Sequence, residues 1–346
     1  MKRIMIVYDC PEDTCDKAWL YESVQQFFPQ VKVIYAKRTL SRLWNRNKLK
    51  YIIFLIDLLI RSVKQSAEAD TIIIWGKSHA ILLNVYFRIF KPNIKILSFN
   101  WLTPSHRKRA IVGWALTNPK FVAIVNDKTS ISLYQKQYNL PHTHNFCYLP
   151  DVYDTHTPFV FDNIHTPQSP YFFTGGMNNR DFGLILKVAR KFPHYQFVII
   201  ALRQSWHFKP HDIPSNVSVK FNTTPKEYYD TMKNARAVLL PLLDNRVAGL
   251  INIAKAIQYG TLCIVSCTPS SKIYFANPAY LIEIGNLESL QQAIKRIDSL
   301  TPIQYQQEVL SLQNHLKNNF APHIIVKQLL LFATKYFSAL ESSSQT

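Results

Sequence analysis

One stretch limits the possible folds of this chain more than any other: Ala237 to Ser266, AVLLPLLDNRVAGLINIAKAIQYGTLCIVS. Ala237 to Leu240 is a short apolar run without helical period, and Pro241 ends it. It predicts a buried strand that opens into a loop at 242–248. Gly249 then starts a helix whose apolar Leu250, Ile253, Ala254 and Ile257 recur at i, i+3, i+4 and i+7, and Gly260 closes it where a left-handed cap is needed. Leu262 to Val265 reads as the next strand. A glycine at the mouth of a helix after a buried strand leaves backbone N–H groups bare, which suits an anion or simply water.

A second stretch repeats the pattern. Ser169 to Ala201, SPYFFTGGMNNRDFGLILKVARKFPHYQFVIIA, reads as a strand at Tyr171 to Thr174, the paired Gly175 and Gly176, a polar loop with Arg180, a helix and a strand at Gln196 to Ala201. Asp181 stands at the capping position, with Phe182, Ile185, Leu186 and Ala189 as the buried face. In a parallel sheet such turns lie at the carboxyl ends of the strands, where ligands bind. A guanidinium at one turn and bare amides of Gly249 and Leu250 at the other would together suit a diphosphate.

The pattern GGxxNRD followed by a capped helix, then PLxxxxxxGLxxxxxAxxxG, resembles the carboxyl-terminal half of GT-B glycosyltransferases, in particular the GT4-like bacterial polysaccharide glycosyltransferases. The resemblance covers residues 169–275; the amino-terminal half shares only the order of strands and helices. It implies an α/β fold of two facing Rossmann-like domains with a cleft between them, the donor nucleotide sugar held by the second and the acceptor by the first. Family members usually carry acidic residues near the start of the second helix and five places before its closing glycine. Here those positions hold Val247 and Lys255.

At 346 residues the chain can form two domains of ordinary size. The expected division is 1–150, a linker at 151–168 rich in Asp, Thr, His and Pro, a second domain at 169–320, and a helix with a polar tail at 321–346 that crosses back to the first domain by resemblance. Formal net charge is +18, and it is unevenly spread: residues 1–150 hold 22 Lys and Arg against 9 Asp and Glu, the remainder 18 against 13. The first half is therefore expected to meet an anionic partner. Five cysteines without metal-ligand spacing point to free thiols in a reducing compartment. MKRIMIVYDC meets an aspartate too early for a signal-peptide core, and no run reaches the roughly 18 apolar residues of a spanning helix.

Within the first half, Arg3 to Tyr8 predicts a strand whose following loop carries Asp9, Glu12, Asp13 and Asp16 before a helix at 17–28. Asp9, at the strand end, is the candidate general base for an acceptor hydroxyl; Asp13 and Asp16 also suit the helix dipole. A strand at 71–75 ends in Gly76, Lys77, Ser78 and His79, and His79 is a candidate to orient or protonate a sugar or phosphate oxygen, or else a local hydrogen-bonding residue. Lys37, Arg38, Arg42, Arg46, Lys48 and Lys50 precede the apolar run 51–60, and His106 to Arg109 precede Ile111, Val112 and Trp114. Either the first run is a buried helix with basic flanks, or it docks on an anionic lipid surface.

A sugar transferase must hold the leaving diphosphate and neutralise its charge. The chain has no Asp-x-Asp pair, so no catalytic metal or other cofactor is expected and the charge falls to Arg180, the Gly249 and Leu250 amides and Lys255. An extra cation at Lys255 would suit an acidic donor sugar such as a uronate. The expectation is a hexosyl- or uronosyltransferase using a nucleotide diphosphate sugar, acting on a lipid-linked or cell-envelope glycan, cytoplasmic and peripheral on the inner face of the membrane. Two rivals are a nucleotide-sugar epimerase of the same architecture and a polyanion binder, though the basic residues flank apolar runs and no nucleic-acid-binding motif is present.

Overall fold

The computed structural model describes residues 3–15, 17–37, 48–101, 109–160 and 171–343. Asp16, Arg38, Arg42, Arg46, His106, Arg107 and Lys108, and most of the proline-rich segment before Tyr171, lie outside them. The chain forms two units, one combining Met1–Pro150 with Pro322–Thr346, the other Asp151–Ala321.

The first unit is built on a six-stranded parallel sheet: β1 (Ile4–Tyr8), β2 (Lys32–Ile34), β3 (Thr71–Trp75), β4 (Lys95–Phe99), β5 (Phe121–Val125) and β6 (Phe146–Tyr148), in the order β2-β1-β3-β4-β5-β6. Every residue of β1 and of β5 is buried, as expected of strands covered on both faces, which read as unbroken apolar runs. Its helices are α1 (Ala18–Gln25), α2 (Lys48–Gln65), α3 (Lys77–Phe90), α4 (Arg109–Leu116) and α5 (Lys128–Tyr138). α3 begins three residues earlier than the apolar spacing suggests, because the Gly76 carbonyl already accepts from Ala80 N at 3.0 Å. The long terminal helix, residues 322–343, belongs to this unit and packs on α1.

α2 resolves the apolar run at 51–60 into two faces. Phe54, Leu55 and Leu58 enter the core, while Leu49, Ile52, Ile53, Ile56 and Ile60 are exposed. One stripe packs inward, and a second, at i, i+3, i+4, i+7 and i+11, is exposed among the described residues. No described helix is long and apolar enough to cross a membrane.

The second unit carries β7 (Tyr171–Gly176), β8 (Gln196–Ala201), β9 (Val217–Phe221), β10 (Ala237–Leu240), β11 (Cys263–Ser266) and β12 (Leu281–Ile282), all parallel, in the order β12-β11-β10-β7-β8-β9. Strand addition reverses at β7, so β7 and β10 are neighbours, with Phe172 opposite Ala237 and Phe173 opposite Val238. β9 is an edge strand and shows it by alternating burial. The helices are α6 (Phe182–Lys191), α7 (Pro225–Lys233), α8 (Leu250–Gln258), α9 (Leu287–Ser299) and α10 (Pro302–Phe320), and the terminal helix of the first unit becomes α11 (Pro322–Ser343).

Asp181 caps α6 by accepting from Leu184 N at 2.8 Å. Thr224 caps α7 by accepting from Glu227 N at 3.2 Å, while the Glu227 carboxylate pairs with Lys220 at 3.0 Å. Two parallel sheets of this kind make the α/β, two-domain GT-B fold.

Candidate functional site

In an open parallel sheet, the loops on either side of the reversal point leave in opposite directions and open a crevice beyond the strand ends. In the second unit that point lies between β7 and β10, and the sequence places its two glycine turns there. The loops are stitched together. Asp181 N donates to Pro241 O at 3.0 Å, Leu243 N to Asn179 O at 3.3 Å, and Asn179 Nδ2 to Asp244 O at 3.1 Å.

The Arg180 side chain turns back over this seam. Nε donates to Gly175 O at 3.0 Å and Nη1 to Asn178 O at 3.2 Å. A Cβ at Gly176 would stand 2.9 Å from Nε, and one at Gly249 2.7 Å from Nη2. Gly249 also sits at φ +81°, in the left-handed region, so glycine is required there both for backbone conformation and for room. The guanidinium, Gly176 and the amino end of α8 thus converge on one place.

Arg180 is 8% exposed, and no carboxylate pairs with it among the described residues. Burial lowers its pKa, the neighbouring Tyr228 and Cys263 opposing. A buried cation held only by two neutral carbonyls leaves most of its charge uncompensated, an expensive arrangement unless an anion joins it. The amides of the first turn of α8 offer that anion further donors beside the guanidinium.

Two residues that the sequence did not single out complete the frame. Asn252 Nδ2, in the first turn of α8, donates to the Tyr228 hydroxyl at 2.8 Å, and the Tyr228 ring covers Gly175. Burial pushes the Tyr228 phenol pKa up, with the Arg180 charge opposing, so Tyr228 stays protonated. Neither residue has a signal in the sequence: Asn252 looks like any polar residue on a helix, and Tyr228 is one of eighteen tyrosines.

Lys255 has partners within the same unit. Its ammonium is held by the Asp154 carboxylate and the Thr157 hydroxyl, and lies 5.1 Å from the Tyr229 ring. Burial works against the Asp154 carboxylate, yet hydrogen bonds from Lys255, His156 N and Thr157 outweigh it and hold its pKa below the ordinary value. Gln258, one turn on, donates to the carbonyls of Asp154 and Thr157 at 2.8 Å. This face of α8 anchors the segment after Pro150, and the charge of Lys255 is already matched.

In the first unit the reversal lies between β1 and β3. Asp9 leaves β1 and lays its carboxylate against Gly76, where a Cβ would be 2.6 Å from Oδ2. His79 has a different neighbour. It is buried between α3 and α2, with Nε2 3.3 Å from Ser62 Oγ, and burial pushes its pKa down to about 3, aided by Arg61.

Lys77, which precedes it by two residues, stands at the strand end instead. Its Nζ lies 4.7 Å from the Trp101 ring and 5.0 Å from that of Tyr134, and donates to the Tyr134 hydroxyl at 3.1 Å. Burial lowers its pKa to about 8.

No family model matches the sequence, and no curated protein matches it. Solved structures do match. Anabaena Alr3699/HepE in complex with UDP and glucose superposes with a TM-score of 0.67 at 11% identity, over 97% of this chain and 100% of that one. Sucrose-phosphate synthase from Thermosynechococcus elongatus gives 0.67 at 12% identity, over 98% and 100%. A glycosyltransferase from Rickettsia africae gives 0.64 at 9% identity, over 97% and 99%. The structures that this chain resembles are GT-B glycosyltransferases, and at such identities the likeness is one of fold.

Proposed function

We propose that this chain is a glycosyltransferase that takes a sugar from a nucleotide diphosphate sugar, with the diphosphate bound in the second unit by Arg180 and the amides of Gly249 and Leu250. The observation that carries the reading is the buried guanidinium, arched over Gly176 and Gly249 and without a carboxylate among the described residues. One structure with this fold was solved with UDP and glucose, and another, from E. coli, with UDP-2-fluoro glucose, which supports a UDP-sugar as donor.

As the glycosidic bond breaks, negative charge grows on the leaving diphosphate. Donors already fixed in place stabilise that charge without having to reorganise. Arg180 and the α8 amides fill this role, so no catalytic metal is invoked. Gly175 and Gly176 let the backbone approach the phosphates closely, while Asn252 and Tyr228 hold that backbone in position. Asp9 in the first unit is the proposed base that receives the proton of the acceptor hydroxyl.

The acceptor we infer is a lipid-linked or cell-envelope glycan reached from an anionic membrane surface on the cytoplasmic side. The exposed stripe Leu49, Ile52, Ile53, Ile56 and Ile60 supports this, together with the excess of basic residues in the same half of the chain. A nucleic-acid partner does not call for such a stripe.

Thermal-shift and calorimetric titration against a panel of nucleotides and nucleotide sugars tests the donor reading. A ligand that binds only the folded state raises its melting temperature. UDP or another nucleoside diphosphate should do so in wild type and fail in Arg180→Met; a folded wild-type protein indifferent to every member would sink the proposal. Co-sedimentation with anionic vesicles tests the surface, Ile53→Asp with Ile56→Asp being expected to abolish it.

A further inference from the structure

The loop after β1 contains a feature that sugar transfer does not use. Cys10 and Cys15 stand side by side there, with their sulfurs 2.6 Å apart. That separation is only somewhat longer than an S–S bond of ~2.05 Å. Cys147 and Cys263 are buried singly in strands, and Cys267 is exposed in the second unit.

The fold holds the two sulfurs together from several sides. Ala36 N donates to Cys10 O at 3.1 Å, which ties the start of the loop to the end of β2. Cys15 N donates to Glu12 O at 3.3 Å, closing a single 3-10 turn over Glu12–Thr14 that brings the chain back to Cys10. Behind them Tyr8 stacks on Tyr35 with ring centroids 5.1 Å apart, and the Tyr8 hydroxyl donates to Lys17 O at 2.9 Å and accepts from Tyr21 N at 3.0 Å. Cys15 is buried and Cys10 half-buried.

We propose that Cys10 and Cys15 form an oxidation site, a dithiol that closes to an intramolecular disulfide with a peroxide as oxidant, and that the bridge fixes the loop that Asp9 opens. The Cys10 sulfur attacks one peroxide oxygen, the O–O bond breaks, and one water leaves with Cys10 as the sulfenic acid. The Cys15 sulfur then displaces that oxygen as a second water and the S–S bond forms. Two thiol protons and two electrons pass to the peroxide, which is fully accounted for as two waters. A dithiol reductant reverses the change by thiol–disulfide exchange.

The inference is independent of the sugar-transfer reading, and its test needs no substrate. Trypsin cleaves after Arg3 and Lys17, so both cysteines fall in one peptide, IMIVYDCPEDTCDK. The reduced full chain is treated with a small excess of hydrogen peroxide, quenched, alkylated and digested. The expected product is that peptide lighter by about 2 Da, for the two hydrogens lost, and unalkylated, with dithiothreitol restoring the reduced form. Amides 10–15 should exchange more slowly in the oxidised protein and recover on reduction.

Cys15→Ser should instead leave Cys10 as a sulfenic acid that dimedone traps. The same peptide should close more slowly in urea-unfolded chain, because the fold supplies the approach. A folded protein in which Cys267 oxidises while this peptide stays reduced overturns the proposal. So does equal closure in urea.

Discussion

The two units share a plan and differ in what they place at the point where strand addition reverses. In the second, between β7 and β10, a cation without a carboxylate lies over two glycines and beside the amino end of α8. In the first, between β1 and β3, a carboxylate lies over the glycine, and a lysine in contact with two aromatic rings stands next to it. The same backbone opening therefore presents a buried guanidinium in one unit and a carboxylate in the other. Topology decides where the crevice opens, and one side chain on each loop decides what it can hold. Net charge would have misled here: the unit whose reversal point carries the carboxylate belongs to the more basic half of the sequence.

Exchanging these side chains is the direct way to break the comparison. The largest expected effect is on turnover. Asp9→Asn should lower kcat by ~10²–10⁴-fold, the range for a lost general base, while nucleotide affinity in the second unit stays as it was. Unchanged turnover would remove Asp9 from the chemistry.

Arg180→Met should weaken nucleoside diphosphate binding by about 100-fold in calorimetry, the worth of a pair of charge-assisted hydrogen bonds. It should cost the unliganded protein little stability, under ~1 kcal/mol, since the buried charge it removes is unpaired. A large loss of stability with intact affinity would reverse the reading and make Arg180 a structural strut.

Lys255→Met is the converse case. It should lower stability by about 1–2 kcal/mol in urea titration, discounted for the partial exposure of Asp154, with nucleotide affinity unaltered. A fall in affinity would restore Lys255 to the site.

The pH profile sharpens the placement of His79. Its folded pKa lies below the unfolded one, so its contribution to stability is complete above about pH 6.5 and is lost as pH falls toward about 3. Over that window it should add a slope of at most ~1.4 kcal/mol per pH unit, the value of one proton. His79→Gln should flatten the profile by that amount, and a variant with the wild-type slope would mean that the imidazole titrates normally and is open to solvent.

Much of the second unit was legible from its residues. A strand covered on both faces must be apolar throughout, a helix must keep apolar residues in step with its turn, and Asp181 and Thr224 are capping residues wherever they occur before such a run. The glycines were readable for a related reason: at Gly249 no other residue tolerates both the backbone angle and the neighbour. His79 and Lys255 were not readable. Each is a polar residue near a helix start or on a helix flank, and its direction depends on partners distant in the chain, Ser62 for one and Asp154 for the other.

Lys77 was legible only as one of the polar residues at a strand end, since the rings that it touches, Trp101 and Tyr134, come from other elements. The resemblance to GT-B transferases rested on local motifs, and local motifs are what periodicity and turn chemistry preserve.

The sequence alone determined the alternation of strands and helices, the glycine turns and the uneven charge, because each is set by neighbours within about one helical turn or one strand. Tertiary structure alone decided which of the cations is free to meet an anion. Arg180 and Lys255 are equally basic in the sequence. Folding brings a carboxylate to one and only backbone carbonyls to the other, and pairing across more than a hundred residues is a property that no local pattern carries.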